Sequence, residues 1–468
     1  MVASALRHFD LCQESLINGE IIGQNWQIHG QYLFSPTMPR YLFHVPQRNE
    51  TFLVAELIAC ARYLNLDLKF EEPDFRIGEA AKTAYFACIL PCDEDAIALA
   101  KRSTAVQSVS HLLADGLTFD DFYKACREVT SDEHQINDGT FAVRVETCSQ
   151  KITNESRRQY IQELVENLHL TSKVDLKNPD RTVIMFLNYE EHGERVPVHI
   201  YVGVHICDGN SKFVSQFALN KRKFINTTSM EPTIALYSAS QALCGPGKLV
   251  YDPFCGSGSL LVACASLGAK VIGSDFDLPS MFKSENDWLG NNFEQYNMKD
   301  RLIGLFKCDF LTGVLHFVGS LDAIVTDPPY GIREKCVADS VSPLLPLLLQ
   351  LYRFSAKALK LGGRLVFWLP CAYNLEAEKE LPRHPALKLV SNSRQSLSSR
   401  YCRHLITYEK VEEIEAEVEF DANDASFLKV RELVFTPVEG SRGKNRKEKK
   451  KFAKALKEKL SKKPTEGD

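Results

Sequence analysis

The sequence has no C-x-x-C pair and no His/Cys cluster; its fourteen cysteines are scattered, Cys88 and Cys92 lying nearest each other. Structural zinc needs paired ligands at short spacing, so no bound metal is expected, and the thiols read as the reduced cysteines of an intracellular protein. Long hydrophobic runs are missing too. The longest, residues 344–351, is broken by Pro346 and Gln350 and falls far short of the ~20 residues a bilayer span needs. The first ten residues lack the apolar stretch of a secretory signal, and no internal repeat is visible. Membrane, disulfide-scaffold and repeat-array classes are therefore not expected. A 44% hydrophobic and 25% charged composition is that of a soluble globular protein, and 468 residues are too many for one ordinary core. Two or three domains are expected.

Residues 1–37 show no periodicity and read as an extension without fixed structure. Residues 38–135 read as a small ferredoxin-like α+β domain, with strands at 41–45 and 83–90 and helices at 53–64 and 93–102. A second α+β domain follows over 136–215, with strands at 141–145, 183–187 and 199–204, a helix at 157–168 and a turn-rich element at 174–180. From about residue 220 to 412, strand–helix units repeat, which predicts a parallel-rich twisted sheet covered on both faces. Its strands are expected at 248–253, 270–274, 323–326, 364–369 and 404–408. Helices are expected at 259–267 and 344–359, the second stopped by Gly362 and Gly363. Residues 413–468, acidic and then basic, read as a largely disordered tail.

Three motifs in the third region carry chemistry. Residues 249–261 (LVYDPFCGSGSLL) are a buried strand ending at Asp252, a glycine turn and a helix start. Gly256 and Gly258 permit backbone angles and close approach that a Cβ would block. Such a turn can be structural only. A dinucleotide site would want its third glycine at position 261, which is Leu. An acid at the strand tip suits a cationic ligand bearing ammonium and sulfonium groups, which points to S-adenosylmethionine. Asp275, ending the strand VIGSD, is placed to accept hydrogen bonds from ribose hydroxyls, although Asp also ends strands as a helix cap. Asp309 follows the next unit and is a candidate adenine contact. The third motif, residues 321–331 (LDAIVTDPPYG), runs a buried strand into Asp327, Pro328, Pro329 and Tyr330. Two prolines fix the corner and remove two N–H donors, at the sheet edge where ligands bind. Asp327 and the Pro328 carbonyl can both accept from one –NH2 group, and Tyr330 offers a face for a flipped base.

D-P-F-x-G-[ST]-G followed by D-P-P-Y is the signature of amino methyltransferases of the Rossmann-like class I fold. With residues 226–230 (NTTSM) and 327–334 (DPPYGIRE), it resembles the tRNA (guanine-10-N2) methyltransferase catalytic subunits. Residues 174–180 (VDLKNPD) resemble an element of the THUMP domain, an RNA-binding module. The similarity covers about residues 38–410. It implies a tRNA substrate, methyl transfer to guanosine N2, a cofactor site of Asp252, Pro253, Gly256, Gly258, Asp275 and Asp309, and an approach of Asn226 and Thr228 to the cofactor's methionine end. It also implies a small zinc-binding activator subunit that adds to the edge of the methyltransferase sheet, and a cytoplasmic enzyme with a possible nuclear pool.

Charge agrees with a partner. Residues 442–463 hold twelve Lys or Arg against two Glu, so the net charge of −4 hides a markedly acidic body. Phosphate contacts dominate nucleic-acid affinity, and an acidic body working alone is poorly equipped for them. The basic stretch reads equally as a tRNA tether or nuclear-import signal and as a solubilising end. Two other functions stay open: adenine N6 methylation of RNA or DNA, since D-P-P-Y accepts any exocyclic amine, and a non-catalytic RNA-binding scaffold.

Overall fold

The computed structural model describes residues 38–71, 77–81, 83–130, 136–189, 196–312, 316–329, 344–371, 375–397, 401–420 and 425–429. The expected extension 1–37, Tyr330 and the basic stretch 442–463 lie outside these residues. The chain divides into Met1–Met38 and Pro39–Asp468, and the fold below is that of the second unit.

Its first half is one eight-stranded sheet. The strands are β1 (Arg40–His44), β2 (Lys69–Phe70), β3 (Tyr85–Ile89), β4 (Ser108–Gly116), β5 (Thr140–Cys148), β6 (Lys173–Val174), β7 (Arg181–Asn188) and β8 (His199–Asp208), in the order β2-β3-β1-β4-β8-β7-β5-β6. Helices α1 (Glu50–Tyr63), α2 (Asp93–Arg102), α3 (Phe119–Glu128) and α4 (Asn154–Asn167) accompany it. Thr118 and Thr153 cap α3 and α4 by accepting from the N–H of Asp121 and Ser156, satisfying donors that a bare helix end leaves open. The two α+β domains expected from sequence are thus joined: β4 pairs antiparallel with β8 along Ser108–Gly116, so hydrogen bonds run across the anticipated boundary.

The second half holds β9 (Leu249–Asp252), β10 (Lys270–Asp275), a small hairpin of β11 (Phe282–Ser284) and β12 (Asp287–Trp288), β13 (Leu302–Lys307), β14 (Leu321–Thr326), β15 (Leu359–Cys371), β16 (Leu387–Ser396) and β17 (Cys402–Lys410). The main sheet runs β13-β10-β9-β14-β15-β17-β16, parallel from β13 to β15, with β17 antiparallel to both of its neighbours, β15 and β16. Its helices are α5 (Pro232–Gln241), α6 (Ser259–Ser266), α7 (Leu278–Met281), α8 (Gly290–Gln295), α9 (Leu344–Ala358) and α10 (Ala377–Glu380). Val250, Tyr251, Ile324, Val325, Val366 and Phe367 are buried, as a sheet covered on both faces requires. This is a Rossmann-like, doubly wound α/β domain. The chain leaves β9 towards β10 on one side and returns to β14 on the other, so a crevice opens at the carboxyl ends of these strands.

Two expectations are corrected. Gly362 and Gly363 do not stop α9, which ends at Ala358; they sit in an irregular stretch of β15, where the register jumps from Leu321↔Leu359 to Ala323↔Arg364 and Gly362 takes φ +74°. The acidic segment after β17 is not wholly a free tail. Glu419 exchanges backbone hydrogen bonds with Arg383, and Phe427 is buried against the β15 side of the sheet.

The halves are packed together. Phe52 of α1 lies 5.8 Å from the rings of both Tyr237 and Trp368. Buried Glu56 accepts from Ser103 Oγ (2.6 Å) and Thr104 N (2.9 Å) in the first half and from Ser240 Oγ (3.2 Å) in the second. A buried carboxylate is tolerable only with such partners. No helix among the described residues is long and apolar enough to cross a membrane.

Candidate active site

Asp252 ends β9 inside the sheet and is 1% exposed. Its Oδ1 accepts from Thr326 Oγ1 (2.6 Å) and Phe254 N (3.0 Å), leaving the second oxygen for the cleft it lines. Burial pushes this carboxyl up to about 8; the Thr326 and Phe254 hydrogen bonds oppose the shift, while Asp275 and Asp327 add to it. The glycine turn follows. Gly256 adopts φ +49°, and its N–H donates to Asp275 Oδ2 at 2.8 Å. Asp275 Oδ1 accepts from Asp277 N at 2.9 Å, so this carboxylate first of all pins the turn. A carboxylate offers about four acceptor positions, and those left over can serve a ligand hydroxyl. Burial raises the Asp275 carboxyl as well.

Gly258, φ +75°, caps α6, and a Cβ there would stand 2.5 Å from Leu289 Cδ1. It does not line the cleft, and neither does Pro253. Gly258 serves packing behind the turn. Gly258→Ala is expected to cost about 1–2 kcal/mol of stability from the left-handed backbone alone. Thermal unfolding checks this, and Leu289→Ala should relieve only the steric part.

A strap, residues 226–230, closes over the turn. Asn226 Oδ1 accepts from Thr228 N (3.0 Å) and Thr228 Oγ1 (2.8 Å), and Asn226 Nδ2 donates to Ser280 O (3.2 Å). Ser229 and Ser257 hydroxyls lie 2.8 Å apart, and Ser259 Oγ accepts from Met230 N and Arg222 Nη1, both at 3.0 Å. The strap is thus laced to the helix start rather than hanging over it. Asp309 is exposed and turns its own backbone, accepting from Leu311 N at 3.0 Å.

At the end of β14 stand Asp327, Pro328 and Pro329. They line the same cleft of about 860 Å³ as Asn226, Thr228, Asp252, Gly256, Asp275 and Asp309. Of the residues anticipated from sequence, the structure therefore gathers these nine, leaves Pro253 and Gly258 behind the wall, and does not describe Tyr330. The volume suits a nucleoside-sized ligand with room for a second ring system.

Sequence reading missed four groups. Thr326 holds Asp252. Phe276, 67% exposed beside Asp275, offers a flat apolar face at the cleft. Tyr401 and Arg403 arrive from the antiparallel end of the sheet, with Arg403 Nη1 3.3 Å from Asp327 Oδ2. The pairing Pro370↔Arg403 sets its place, and such register has no local signature.

A family model described as the Tmrp11 THUMP N-terminal domain matches residues 39–211, the eight-stranded half, and one described as DNA methylase matches residues 222–279, from the strap to Asp275. The tRNA (guanine(10)-N(2))-methyltransferase TRMT11 of Rattus norvegicus is 30% identical, covering 81% of this chain and 89% of its own. The chain belongs to the tRNA (guanine(10)-N2)-methyltransferase family. The Dictyostelium discoideum TRMT11 is 29% identical, over 80% of this chain and 82% of its own. Among solved structures, TrmN from Thermus thermophilus is 20% identical with a TM-score of 0.40, over 80% of this chain and 100% of that one. Family membership covers both halves. In the N-terminal sheet the apolar Val174 at the end of β6 (56%) and Leu176 in the turn after it (78%) are exposed, and the turn is held by Asp175 and Asp180.

Proposed function

We infer that this chain transfers the methyl group of S-adenosylmethionine to the exocyclic N2 of guanosine 10 in tRNA. The observation that carries the reading is that the Asp327–Pro328 corner and the Asp252–Gly256 turn face one cleft. S-adenosylmethionine supplies an electrophilic methyl on a sulfonium. Asp252 and the strap residues Asn226 and Thr228 would hold its ammonium end, Asp275 its ribose, and Phe276 and Asp309 would border the adenine.

Guanine N2 is a weak nucleophile because its lone pair is delocalised into the ring. Asp327 and the Pro328 carbonyl, accepting from its two hydrogens, favour the pyramidal form that can attack. Bound there, the cofactor would supply the methyl, its C–S bond breaking as the N–C bond forms and the bonding pair leaving on a neutral thioether sulfur. The nitrogen, now positive, gives one proton to Asp327 or, through it, to water. Positioning of this kind supplies about 7–11 kcal/mol of barrier reduction. Tyr330, next in sequence, would stack on the extruded base.

The N-terminal sheet would present the tRNA, and a small zinc-binding activator would complete the enzyme at β13. That strand is an outer edge of the main sheet, with Ile303 (52%) and Phe306 (36%) exposed. An open edge bearing apolar side chains is a template for a partner strand. Ile303→Asp is expected to abolish co-purification of the activator while the chain keeps its fold, as read by affinity pull-down and circular dichroism. Undiminished pull-down would place the partner elsewhere. We place the enzyme in the cytoplasm with a nuclear pool, where the free thiols of Cys92, Cys207 and Cys308, all partly exposed, stay reduced.

The test is mass spectrometry of nucleosides from unmodified tRNA incubated with the chain, its activator and the cofactor. N2-methylguanosine mapped to position 10 is the expected product. N6-methyladenosine, or no transfer despite cofactor binding, would overturn the reading.

A further inference from the structure

The lining of the cleft is lopsided in charge. Among its described residues Glu231, Asp252, Asp275, Asp277, Asp309 and Asp327 are acidic, and Arg403 is the one basic side chain. Its guanidinium is held independently of any ligand. The carbon of the group sits 4.3 Å over the ring of Trp368, and Nε donates to Gln395 Oε1 at 2.7 Å. Trp368 is itself immobilised: fully buried, it donates from Nε1 to Ser238 Oγ (3.1 Å) and packs on Phe52 of the N-terminal half. From this seat Nη1 reaches Asp327 Oδ2 at 3.3 Å, with the Arg403 side chain only 14% exposed.

We propose that Arg403 is a positioning residue for methyl transfer, gripping one oxygen of Asp327 so that the carboxylate is held aimed at the target amine. This rests on the function proposed above. A carboxylate crowded by other acids tends to turn away from them, and an opposite charge in hydrogen-bond reach holds it in place. Arg suits the task better than Lys because its planar fork is always charged and is fixed by stacking and by a second hydrogen bond. The grip needs only one of the roughly four acceptor positions that a carboxylate has. Arg403 touches neither substrate nor cofactor in this account; it acts through Asp327.

The test uses the full chain with its activator and unmodified tRNA, comparing wild type, Arg403→Gln, Arg403→Lys, Asp327→Ala and the Asp327→Ala/Arg403→Gln double variant. Arg403→Gln is expected to slow single-turnover transfer about 10- to 100-fold, the usual range for one charge-assisted hydrogen bond. Its cofactor Kd and tRNA KM should stay within about threefold, and Arg403→Lys should restore part of the rate. In the Asp327→Ala background the same change should alter the residual rate less than about twofold, because its route of action is gone. A wild-type rate in Arg403→Gln would overturn the proposal. So would a full multiplicative loss in the double variant, or a loss that follows cofactor affinity, because each marks a role in folding or binding. No transfer by the wild-type chain would instead sink the proposed function itself.

Discussion

Asp327→Ala is expected to lower the rate of methyl transfer about 10²- to 10⁴-fold while leaving cofactor affinity within about threefold. The asymmetry follows from geometry. Asp327 stands at the end of β14 and lines the same cleft as the strap and glycine turn that would hold the cofactor, whose lacing bonds run among Asn226, Thr228, Gly256 and Asp275. Removing its carboxylate deletes an acceptor for the amine and a sink for its proton. Asp327→Asn keeps an acceptor and loses the charge, so it should fall between wild type and Asp327→Ala. Single-turnover rates paired with calorimetric titration of the cofactor check both. Equal loss of rate and affinity would mean that Asp327 is architectural.

Asp252 governs the other half of the reaction. With its carboxyl raised to about 8 by burial, it is largely protonated in the empty cleft at pH 7. A cationic ligand favours the ionised form, so cofactor binding at pH 7 should expel close to one proton, and affinity should climb as pH rises towards 8. Above that the cofactor's own α-amino group, with an ordinary pKa near 7.7–8.0, loses its charge and affinity declines. The same shift bears on stability. A carboxyl raised above its ordinary 3.8 contributes most when protonated, so its contribution is complete below about 4 and is lost as pH climbs through about 8. The thermal stabilisation given by the cofactor should therefore grow over that window. Asp252→Asn is expected to weaken cofactor binding about 10- to 100-fold and to abolish the rising limb, since its amide cannot ionise. Calorimetry in buffers of different ionisation enthalpy reads the proton count directly. Unchanged proton release in Asp252→Asn would assign it to another group.

How much of this was legible in the sequence depended on distance along the chain. Asp252, Gly256 and Asp275 announce themselves because a strand, a turn and the next strand put the whole turn within about twenty-five residues. Asp327 and the prolines do so because two adjacent prolines at a strand end have few structural uses. Thr326 and Arg403 did not, for each matters only through a partner 74 or 76 residues away. The same limit hid the joining of β4 to β8, whose pairing spans the interval that holds α3, β5, α4, β6 and β7. Strand β13 was missed because, as an outer edge strand, it leaves Ile303 and Phe306 to solvent and shows no run of buried residues. The packing role of Gly258 was hidden for a different reason. Sequence shows that a glycine is needed, and only the approach of Leu289 shows what needs it.

A crystal structure of the chain with S-adenosylhomocysteine bound tests the central claim most directly. The thioether sulfur is expected to point at the Asp327–Pro328 corner across a gap fit for one methyl and one nitrogen, with the amino acid end beside Asp252 and Asn226 and the ribose at Asp275. A sulfur turned away from that corner, or a corner sealed from the surface once the ligand is in place, would contradict the account.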